Sequence, residues 1–336
     1  MNHEKKLLIS VDMDTFTSLS NYYGVKDVKY IKDEIYEIAI PRILGLFKRF
    51  NIKATFFICS KDFSDREDVC FWIKKIKENG HELANHSLSH RYGISLLSFK
   101  QIEREIIGNH NLIKEYFDCD CVGFRAPGYN ISTAIVKILE KNGYLYDSSL
   151  FPTSLTLFYK VYHCLLVINK EKKVYDGMDN MFSFFLPAQP YLITSANYCQ
   201  KARGKNGSFI LEIPIATSRF LKLPFYFNFH LLFSEKMLKI IFSKENRHCI
   251  NYLLHAVDFV DYYKDKIDER FACVVNIKRP LAEKMEKIDL IISSLLNNQY
   301  KVILLSSFAK ELIKSGRSCG LHVDDEESQK WRIKKY

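Results

Sequence analysis

The sequence predicts an α/β protein whose parallel sheet curls into a distorted (β/α) barrel, either closed or incomplete. Four units of a strand followed by a helix occupy about the first 150 residues, and parallel strands need crossovers of this length. In such sheets the functional groups gather where the strands end. Polar residues come directly after three of the predicted strands. Asp12 and Asp14 follow the first, His86 follows the third and Arg125 follows the fourth. This regular placement predicts one shared site.

The elements of the N-terminal half follow from short apolar runs and from apolar residues at helical spacing. Strands are expected at residues 7–11, 54–59, 81–85, 121–124 and 145–146. Helices are expected between them, at residues 32–50, 68–79, 98–117 and 132–141. Ser98 and Gln101 have the spacing of a capping box, and Gly80 is expected to stop the second helix.

The C-terminal half repeats this pattern less regularly. Residues 151–208 mix polar and aromatic side chains, and strands follow at 209–215, 250–254 and 300–305, with a helix at 280–298. Residues 220–233 are unusually aromatic, which fits a lid, a substrate wall, a surface that dips into a membrane, or an ordinary buried segment. One domain is expected over residues 1–315, followed by a charged tail at 316–336.

The composition indicates a globular protein with excess positive charge. Of 336 residues 47% are hydrophobic, and the formal net charge of +10 favours phosphates or an anionic membrane surface as partners. We expect no nucleic-acid partner. No signal-peptide pattern or apolar run of transmembrane length is evident, and the odd count of nine cysteines suggests reduced thiols. A cytoplasmic location is therefore expected, with or without association at the inner face of the membrane.

Asp12 and Asp14 lie two residues apart at the end of the first predicted strand. In a regular strand the two side chains would face the same way. Two carboxylates placed side by side in this way repel each other unless a cation lies between them or one of them holds a proton. A metal ion held by Asp14 would leave Asp12 ionised as a general base. A solvated strand end or a helix cap is the alternative.

His86 and His90 are four residues apart, a spacing from which two imidazoles can bind one metal ion. With a carboxylate as third ligand, open positions remain for water and substrate, as in catalytic metal sites. Ordinary surface or core histidines are the alternative. Ser87 and Ser89 are expected to fix the turn between them, and His81 is expected to be structural.

Three further positions suit hydrolysis of an amide. Arg125 can pair with a catalytic carboxylate and keep it ionised and oriented. Pro127-Gly128 predict a turn whose amide groups can face a developing oxyanion. His255, at the end of a late strand, can protonate a leaving amine. A loop with a surface arginine and a core histidine are the alternatives.

Taken in order, these motifs resemble those of the polysaccharide deacetylases. They are Asp12-x-Asp14, Ala54-Thr55-Phe56-Phe57, Gly80-His81-Glu82-x-x-Asn85-His86-Ser87-x-x-His90, Arg125-Ala126-Pro127 and Leu253-x-His255. The resemblance implies a distorted (β/α) barrel with one divalent metal ion, with Zn²⁺ as the first expectation and Co²⁺, Mn²⁺ or Ni²⁺ as alternatives. It also implies that Asp14, His86 and His90 are the metal ligands.

By the same resemblance, Asp12 would be the general base, Arg125 would orient it and His255 would be the general acid. The implied reaction is hydrolysis of an N-acyl group, acetyl or formyl, from an amino sugar of a glycan or of a lipid- or nucleotide-linked glycan intermediate. Two other functions stay open, a non-catalytic carbohydrate-binding protein on the same scaffold and an amidohydrolase of non-sugar C–N bonds. The sequence leaves the oligomeric state open.

The sequence departs from the family pattern at two points. Met13 separates two aspartates that are usually adjacent, and this motif, like His255-Ala256-Val257-Asp258, looks more like the bacterial deformylase of a lipid-linked aminoarabinose. Gly128 stands where many members have an aromatic residue, so the substrate wall is expected to differ there. Gly128, Tyr129 and Asp147 are the candidates for the oxyanion or substrate side of the site. Asp147 is the candidate for the family's fourth motif, which has no clear counterpart.

Overall fold

The structure is a computed structural model that describes residues 4–26, 35–155, 183–199 and 209–315. Its strands join into one sheet and are β1 (Lys6–Asp12), β2 (Thr55–Ile58), β3 (Glu82–Asn85), β4 (Gly123–Phe124), β5 (Tyr146–Asp147), β6 (Tyr191–Ile193), β7 (Ile210–Glu212), β8 (Cys249–His255) and β9 (Lys301–Val302). The helices are α1 (Phe16–Tyr23), α2 (Ile35–Arg49), α3 (Glu67–Glu78), α4 (Phe99–Phe117), α5 (Thr133–Lys141), α6 (Phe227–His230), α7 (Glu235–Ser243), α8 (Leu281–Asn297) and α9 (Leu305–Ser315). No helix of these ranges is long and apolar enough to span a bilayer.

The sheet is a curled, open barrel. Its strand order is β6-β7-β5-β4-β3-β2-β1-β8, and β9 pairs with the start of β1. Every pairing is parallel except that of β6 with β7. Within the described ranges β6 and β8 do not pair with each other, so the barrel stays open between them. The prediction of a distorted and incomplete (β/α) barrel is confirmed, and the antiparallel edge strand is an addition to it.

The two faces of β1 explain how the fold positions polar groups. Alternate side chains face opposite sides of a strand, and the outer side belongs to a large apolar core that includes Leu7, Ile9 and Val11. On the inner side, Leu8 shares an apolar cluster with Leu305 and Phe308 of α9. Ser10 and Asp12 follow Leu8 on this inner side, and both are buried. The barrel interior therefore changes from apolar to polar toward the carboxyl ends of the strands.

The predicted elements agree with the structure to within a few residues, with one clear error. Residues 300–305 do not form a strand throughout, because only Lys301–Val302 pair with β1. At Leu305 the chain begins α9, whose Leu305, Phe308, Ala309 and Leu312 cover the inner apolar face at helical spacing. The predictions for residues 32–34, 156–182, 200–208 and 316–336 lie outside the described residues.

Candidate metal centre

Three buried side chains converge just beyond the strand ends. Asp14 follows β1, while His86 and His90 follow β3, and their candidate ligand atoms all lie within 4.8 Å of one another. Asp14 Oδ1 is 3.5 Å from His86 Nε2 and 2.7 Å from His90 Nε2. Ligand atoms that share one tetrahedral ion of zinc size are about 3.3 Å apart. The spacing of the three side chains therefore fits one divalent ion.

Unsatisfied polar atoms support the same conclusion. Asp14 Oδ1 and both ring nitrogens of His90 are buried, and none has a hydrogen-bond partner among the described residues. The short contact between Asp14 and His90 does not have the geometry of a hydrogen bond. A buried polar atom without a partner destabilises the fold by about 1–3 kcal/mol. A cation bound by Asp14 Oδ1 and one ring nitrogen of His90 would satisfy these two atoms, while the second ring nitrogen cannot bind the same ion.

His86 is held with one ring nitrogen toward Asp14. Its Nδ1 lies 2.7 Å from the carbonyl oxygen of Arg125, and its backbone N–H donates to Ile58 O. Because a carbonyl oxygen only accepts, Nδ1 carries the proton and Nε2 keeps its lone pair. The lone pair of Nε2 is the one a metal ion would use.

The loop that carries the two histidines is tightly tied. Ser87 and His90 adopt positive φ angles of 69° and 50°, and the loop reverses direction there. The backbone N–H of Ser87 donates to Asn85 Oδ1, and that of His90 donates to Ser87 Oγ. Both the backbone N–H and the hydroxyl of Ser89 donate to the Glu105 carboxylate of α4. As expected from the sequence, the two serines hold the turn.

The pKa shifts of Asp14 and His90 favour the forms that bind a metal ion, whereas the shift of His86 favours its protonated ring. Burial alone would raise the pKa of Asp14, but His90 and His86 outweigh it and hold that pKa well below its usual value. Burial lowers the pKa of His90. For His86, the carboxylates of Asp14 and Asp12 outweigh burial and raise the pKa. An ionised carboxylate and a neutral His90 are thus favoured without any ion.

Asp12 and Arg125 form an almost fully buried ion pair. Arg125 Nη1 donates to Asp12 Oδ1 at 2.5 Å. Arg125 also donates from Nη2 to the hydroxyls of Ser10 and Ser148, and from Nε to the carbonyl of Ser148. The guanidinium carbon lies 4.1 Å from the centre of the Phe57 ring. These contacts satisfy a charge that burial would otherwise make unfavourable.

The turn after Arg125 requires glycine at position 128. Gly128 has a φ of 65°, and a Cβ placed on it would lie 2.9 Å from Cδ1 of Tyr92. The backbone N–H of Tyr129 donates to Ala126 O within the turn. The amide of Gly128 is therefore the candidate that would face an oxyanion.

His255 ends β8 in register with Asp12 on the neighbouring strand. Its Nε2 lies 3.1 Å from the hydroxyl oxygen of Tyr129. Burial raises the pKa of Tyr129 well above its usual value, so the hydroxyl keeps its proton and can donate. On the other side of the ring, His255 Nδ1 is 3.9 Å from Asp258 Oδ2, and that oxygen accepts the backbone N–H of His255.

Asp147 lies outside the group of candidate ligands and is linked through Ser149 to the turn that follows Arg125. The hydroxyl of Ser149 donates to Asp147 Oδ1 at 2.6 Å and accepts the backbone N–H of Ala126 at 2.8 Å. Glu212 lies directly opposite Asp147 on β7, and both are fully buried. Burial and the Asp147 charge raise the pKa of Glu212 well above its usual value.

Aromatic rings border the site on two sides. On the His255 side, the ring centres of Tyr129 and Phe151 are 5.6 Å apart, and those of Phe151 and Tyr226 are 5.8 Å apart. On the His90 side, Tyr92 lies 5.0 Å from the His90 ring and 5.2 Å from Tyr22. No sequence motif singles out Tyr22, Tyr92 or Phe151, although Tyr92 follows His90 by only two residues.

The aromatic stretch at residues 220–233 is divided between core and surface. Phe225 and Phe227 are buried, whereas Phe220 and Leu221 are exposed. Neither the interpretation as a buried segment nor the interpretation as a surface describes it alone.

Comparison with known proteins finds matches over part of the chain. Residues 26–146 match the family model of the polysaccharide deacetylases. A peptidoglycan deacetylase of Helicobacter pylori is 31% identical over 163 residues, which are 46% of this chain and 53% of that protein. A peptidoglycan-N-acetylglucosamine deacetylase of Bacillus cereus is 28% identical over 104 residues, which are 31% of this chain and 46% of that protein. The chain thus spans about half the length of these curated relatives.

A solved structure shows the same fold. The crystal structure of a candidate polysaccharide deacetylase from Mycobacterium smegmatis aligns with a TM-score of 0.59 and 14% identity, over 96% of each chain. The curled, open α/β sheet is therefore an established architecture.

Proposed function

Because residues 26–146 match the family model of the polysaccharide deacetylases, we propose that the chain is a metal-dependent hydrolase that removes an N-acyl group from an amino sugar. The acyl group is acetyl or formyl, and the sugar belongs to a glycan or to a lipid- or nucleotide-linked glycan intermediate. One observation carries the proposal, the convergence of Asp14, His86 and His90 on a common point. Asp12 ends β1 and His255 ends its neighbour β8, whereas Arg125 follows β4, which β3 and β2 separate from β1 in the sheet.

Asp14, His86 and His90 would hold the metal ion. One carboxylate and two imidazoles suit Zn²⁺, with Co²⁺, Mn²⁺ and Ni²⁺ as alternatives. A divalent ion at this point would lower the pKa of a water molecule and polarise the carbonyl oxygen of the acyl group.

Asp12 is proposed as the general base that takes the proton of the attacking water. Arg125 fixes the direction of the Asp12 carboxylate through the 2.5 Å hydrogen bond. Ser10 and Ser148 hold the guanidinium in turn. A base that is already aligned contributes typically 10²–10⁴-fold to the rate.

His255 is proposed as the general acid that protonates the leaving amine. The Tyr129 hydroxyl lies 3.1 Å from Nε2 of the ring, and the Asp258 carboxylate lies 3.9 Å from Nδ1. The amide of Gly128 would donate to the oxyanion, and a single donor of this kind contributes roughly 10²-fold or more.

Release of the acyl group tests the proposal. Metal-supplemented protein is incubated with N-acetyl and N-formyl amino sugars, both soluble and lipid-linked, and acetate and formate are measured against a chelator-treated control. We expect release that depends on the metal. Stoichiometric metal binding without any release would favour the carbohydrate-binding alternative, and release from non-sugar amides alone would favour the amidohydrolase alternative.

We also propose a cytoplasmic location and a peripheral contact with an anionic membrane. The surface that supports this contact is the turn of a hairpin, where Phe220 is 86% and Leu221 67% exposed. Arg219 precedes the two apolar side chains, and the net charge of the chain is +10. The ammonium group of Lys222, which follows them, donates to the carbonyl oxygens of Phe184 and Leu186. Apolar insertion together with basic residues, each worth about 1 kcal/mol near anionic lipid, is the usual basis of such binding.

Vesicle sedimentation tests the membrane contact. The full chain is mixed with vesicles of phosphatidylcholine alone or of equal parts phosphatidylcholine and phosphatidylglycerol. We expect binding to the anionic vesicles that Phe220→Ser weakens. Phe71→Ser, which changes another exposed phenylalanine on α3, should leave it intact. Equal binding of both vesicle types, or equal effects of both variants, would refute the contact.

A further inference from the structure

Two side chains of α4 contact the loop that carries His86 and His90, one at the start of the loop and one near its end. They are Asn109 and Glu105, which lie one turn apart and therefore on the same face of the helix. Asn109 is fully buried, and Glu105 is partly buried. The sequence motifs of the site include neither residue.

The side-chain amide of Asn109 is saturated with hydrogen bonds. Its Nδ2 donates to Ile58 O at 2.9 Å and to Asn85 Oδ1 at 2.8 Å. Its Oδ1 accepts the backbone N–H of Ser60 at 2.7 Å and also the Ser60 hydroxyl. A primary amide has two N–H donors and one oxygen with two lone pairs, and all of them are used here. Exchange of the oxygen and the nitrogen would place donor against donor at Ser60, so the orientation of the amide is defined.

The two oxygens to which Asn109 donates also accept the backbone N–H groups at the start of the loop. Ile58 O accepts the N–H of His86 at 3.0 Å, and Asn85 Oδ1 accepts the N–H of Ser87 at 2.9 Å. One amide therefore holds both oxygens that position the backbone around a candidate metal ligand. Because the imidazole ring projects from that backbone, the direction of its Nε2 depends on these contacts.

Glu105 holds the end of the loop. Its carboxylate accepts the backbone N–H of Ser89 at 2.9 Å and the Ser89 hydroxyl at 2.7 Å, and its carbonyl oxygen accepts the N–H of Leu88 at 2.8 Å. Ser89 directly precedes His90, whose φ is 50°. A residue other than glycine keeps such a φ only where its surroundings hold it there. The contacts to Glu105 provide this constraint next to the second histidine.

We propose that Asn109 and Glu105 are positioning residues of the candidate metal centre, which fix His86 and His90 in advance and so set the affinity of the protein for the ion. Neither side chain is among the candidate ligands, so both act through the loop. Residues that orient metal ligands typically contribute about 10- to 100-fold to metal affinity. The inference rests on the proposed function, since it concerns the ion that the hydrolase would use.

The affinity of the full chain for Zn²⁺, measured in competition with a chelating indicator dye, tests the proposal. Asn109→Asp keeps the shape of the side chain and its acceptor oxygen but removes both donors, and we expect Zn²⁺ binding to weaken about 10- to 100-fold. Glu105→Gln exchanges one of two acceptor oxygens for a donor and should weaken binding by a smaller factor. Tyr252→Phe is the matched control, because it removes a buried hydrogen bond to His230 that is not part of the loop.

Two further measurements separate positioning from a loss of stability. Urea unfolding of the metal-free proteins gives the stability of each variant, while the visible absorption of bound Co²⁺ reports the arrangement of its ligands. We expect both α4 variants, but not Tyr252→Phe, to change the Co²⁺ spectrum. In addition, Glu105→Gln should weaken Zn²⁺ binding less in the Ser89→Ala background than in wild type, because Glu105 acts through Ser89. This comparison does not depend on whether Asn109→Asp folds.

The outcomes are distinguishable. If wild type binds Zn²⁺ and hydrolyses acylated amino sugars, but the α4 variants lower the affinity no more than Tyr252→Phe does, the positioning role is wrong and the hydrolase function stands. If the affinity falls as expected but wild type releases no acyl group, the positioning role stands and the hydrolase function fails. A wild-type protein that binds no divalent ion would refute both.

Discussion

Arg125 Nη1 donates a 2.5 Å hydrogen bond to Asp12 Oδ1, and both side chains are at most 2% exposed. The pair joins the end of β1 to the residue after β4 across the inner side of the sheet. Removing one partner of a buried ion pair leaves the other charge buried without an opposite charge beside it. The same contact therefore bears on both the stability of the barrel and the state of Asp12.

Arg125→Met should destabilise the protein by about 3–5 kcal/mol, because it leaves the Asp12 carboxylate buried and unpaired. Arg125→Lys should destabilise it less, since a lysine keeps the charge but cannot reach Asp12, Ser10 and Ser148 together. Urea unfolding of the three proteins measures the difference. Equal unfolding midpoints for wild type and Arg125→Met would contradict the inferred importance of the pair.

Asp12→Asn and His86→Ala should fail in different ways. Asp12→Asn is expected to keep its metal but lose roughly 10²–10⁴-fold in kcat, because an amide cannot accept the proton. His86→Ala is expected to lose both metal and activity, because one of three ligands is gone. Elemental analysis and acyl-release rates provide the measurements, with Asp118→Asn at the exposed end of α4 as control. A metal-free Asp12→Asn protein would place that side chain among the ligands instead.

Tyr129→Phe should lower kcat less than His255→Gln does. The phenylalanine variant removes only the hydroxyl that lies 3.1 Å from His255 Nε2, whereas the glutamine variant removes the proposed proton donor, and such a group contributes roughly 10²–10⁴-fold. Steady-state kinetics on one acylated amino sugar give the comparison. Should both variants lose the same factor, Tyr129 would take part in the proton transfer rather than position the ring.

Glu212 should make the protein less stable as the pH rises. Burial and the Asp147 charge raise the pKa of Glu212 well above its usual 4.5, so above pH 4.5 the folded state holds a proton that the unfolded state has released. The contribution of Glu212 to the free energy of unfolding is therefore complete below pH 4.5. Above that pH it falls by about 1.4 kcal/mol per pH unit until the pKa of Glu212 in the folded protein is reached. Glu212→Gln, a neutral side chain of the same shape, should flatten this slope.

Urea unfolding of wild type and Glu212→Gln between pH 5 and 8 measures that slope. We expect the two proteins to have similar free energies of unfolding at pH 5. Toward pH 8 the free energy of unfolding of wild type should fall, so that Glu212→Gln becomes the more stable protein. Parallel profiles would mean that Glu212 titrates normally in the folded protein. Glu235→Gln, at the exposed start of α7, should give the wild-type slope.

Much of the site was predictable because its residues occur at strand ends. The apolar runs of β1 and β3 and the crossovers between them predict that Asp14 and His86 meet at one edge of a parallel sheet. The spacing of His86 and His90 then predicts a shared ion, and the structure brings the three side chains together. Their roles in catalysis remain predictions.

Other contacts had no local signal. Glu212 is one residue of an apolar strand, and only the register of β5 with β7 places it opposite Asp147. Residues 301–305 have the composition of a strand, yet the chain turns into α9 at Leu305 because the inner face of the sheet needs an apolar cover. β6 was missed because a three-residue antiparallel edge strand has too few side chains to form a pattern.

By itself the sequence determined which chemical groups stand at the strand ends and in what order, since apolar periodicity and motif spacing are properties of the chain alone. Only the tertiary structure decided what those groups touch. It placed Tyr92 against Gly128, Ser148 around Arg125 and Tyr129 on His255. Such contacts join residues that are far apart in the chain, and they depend on how the sheet curls and how its helices pack, which no short stretch of sequence encodes.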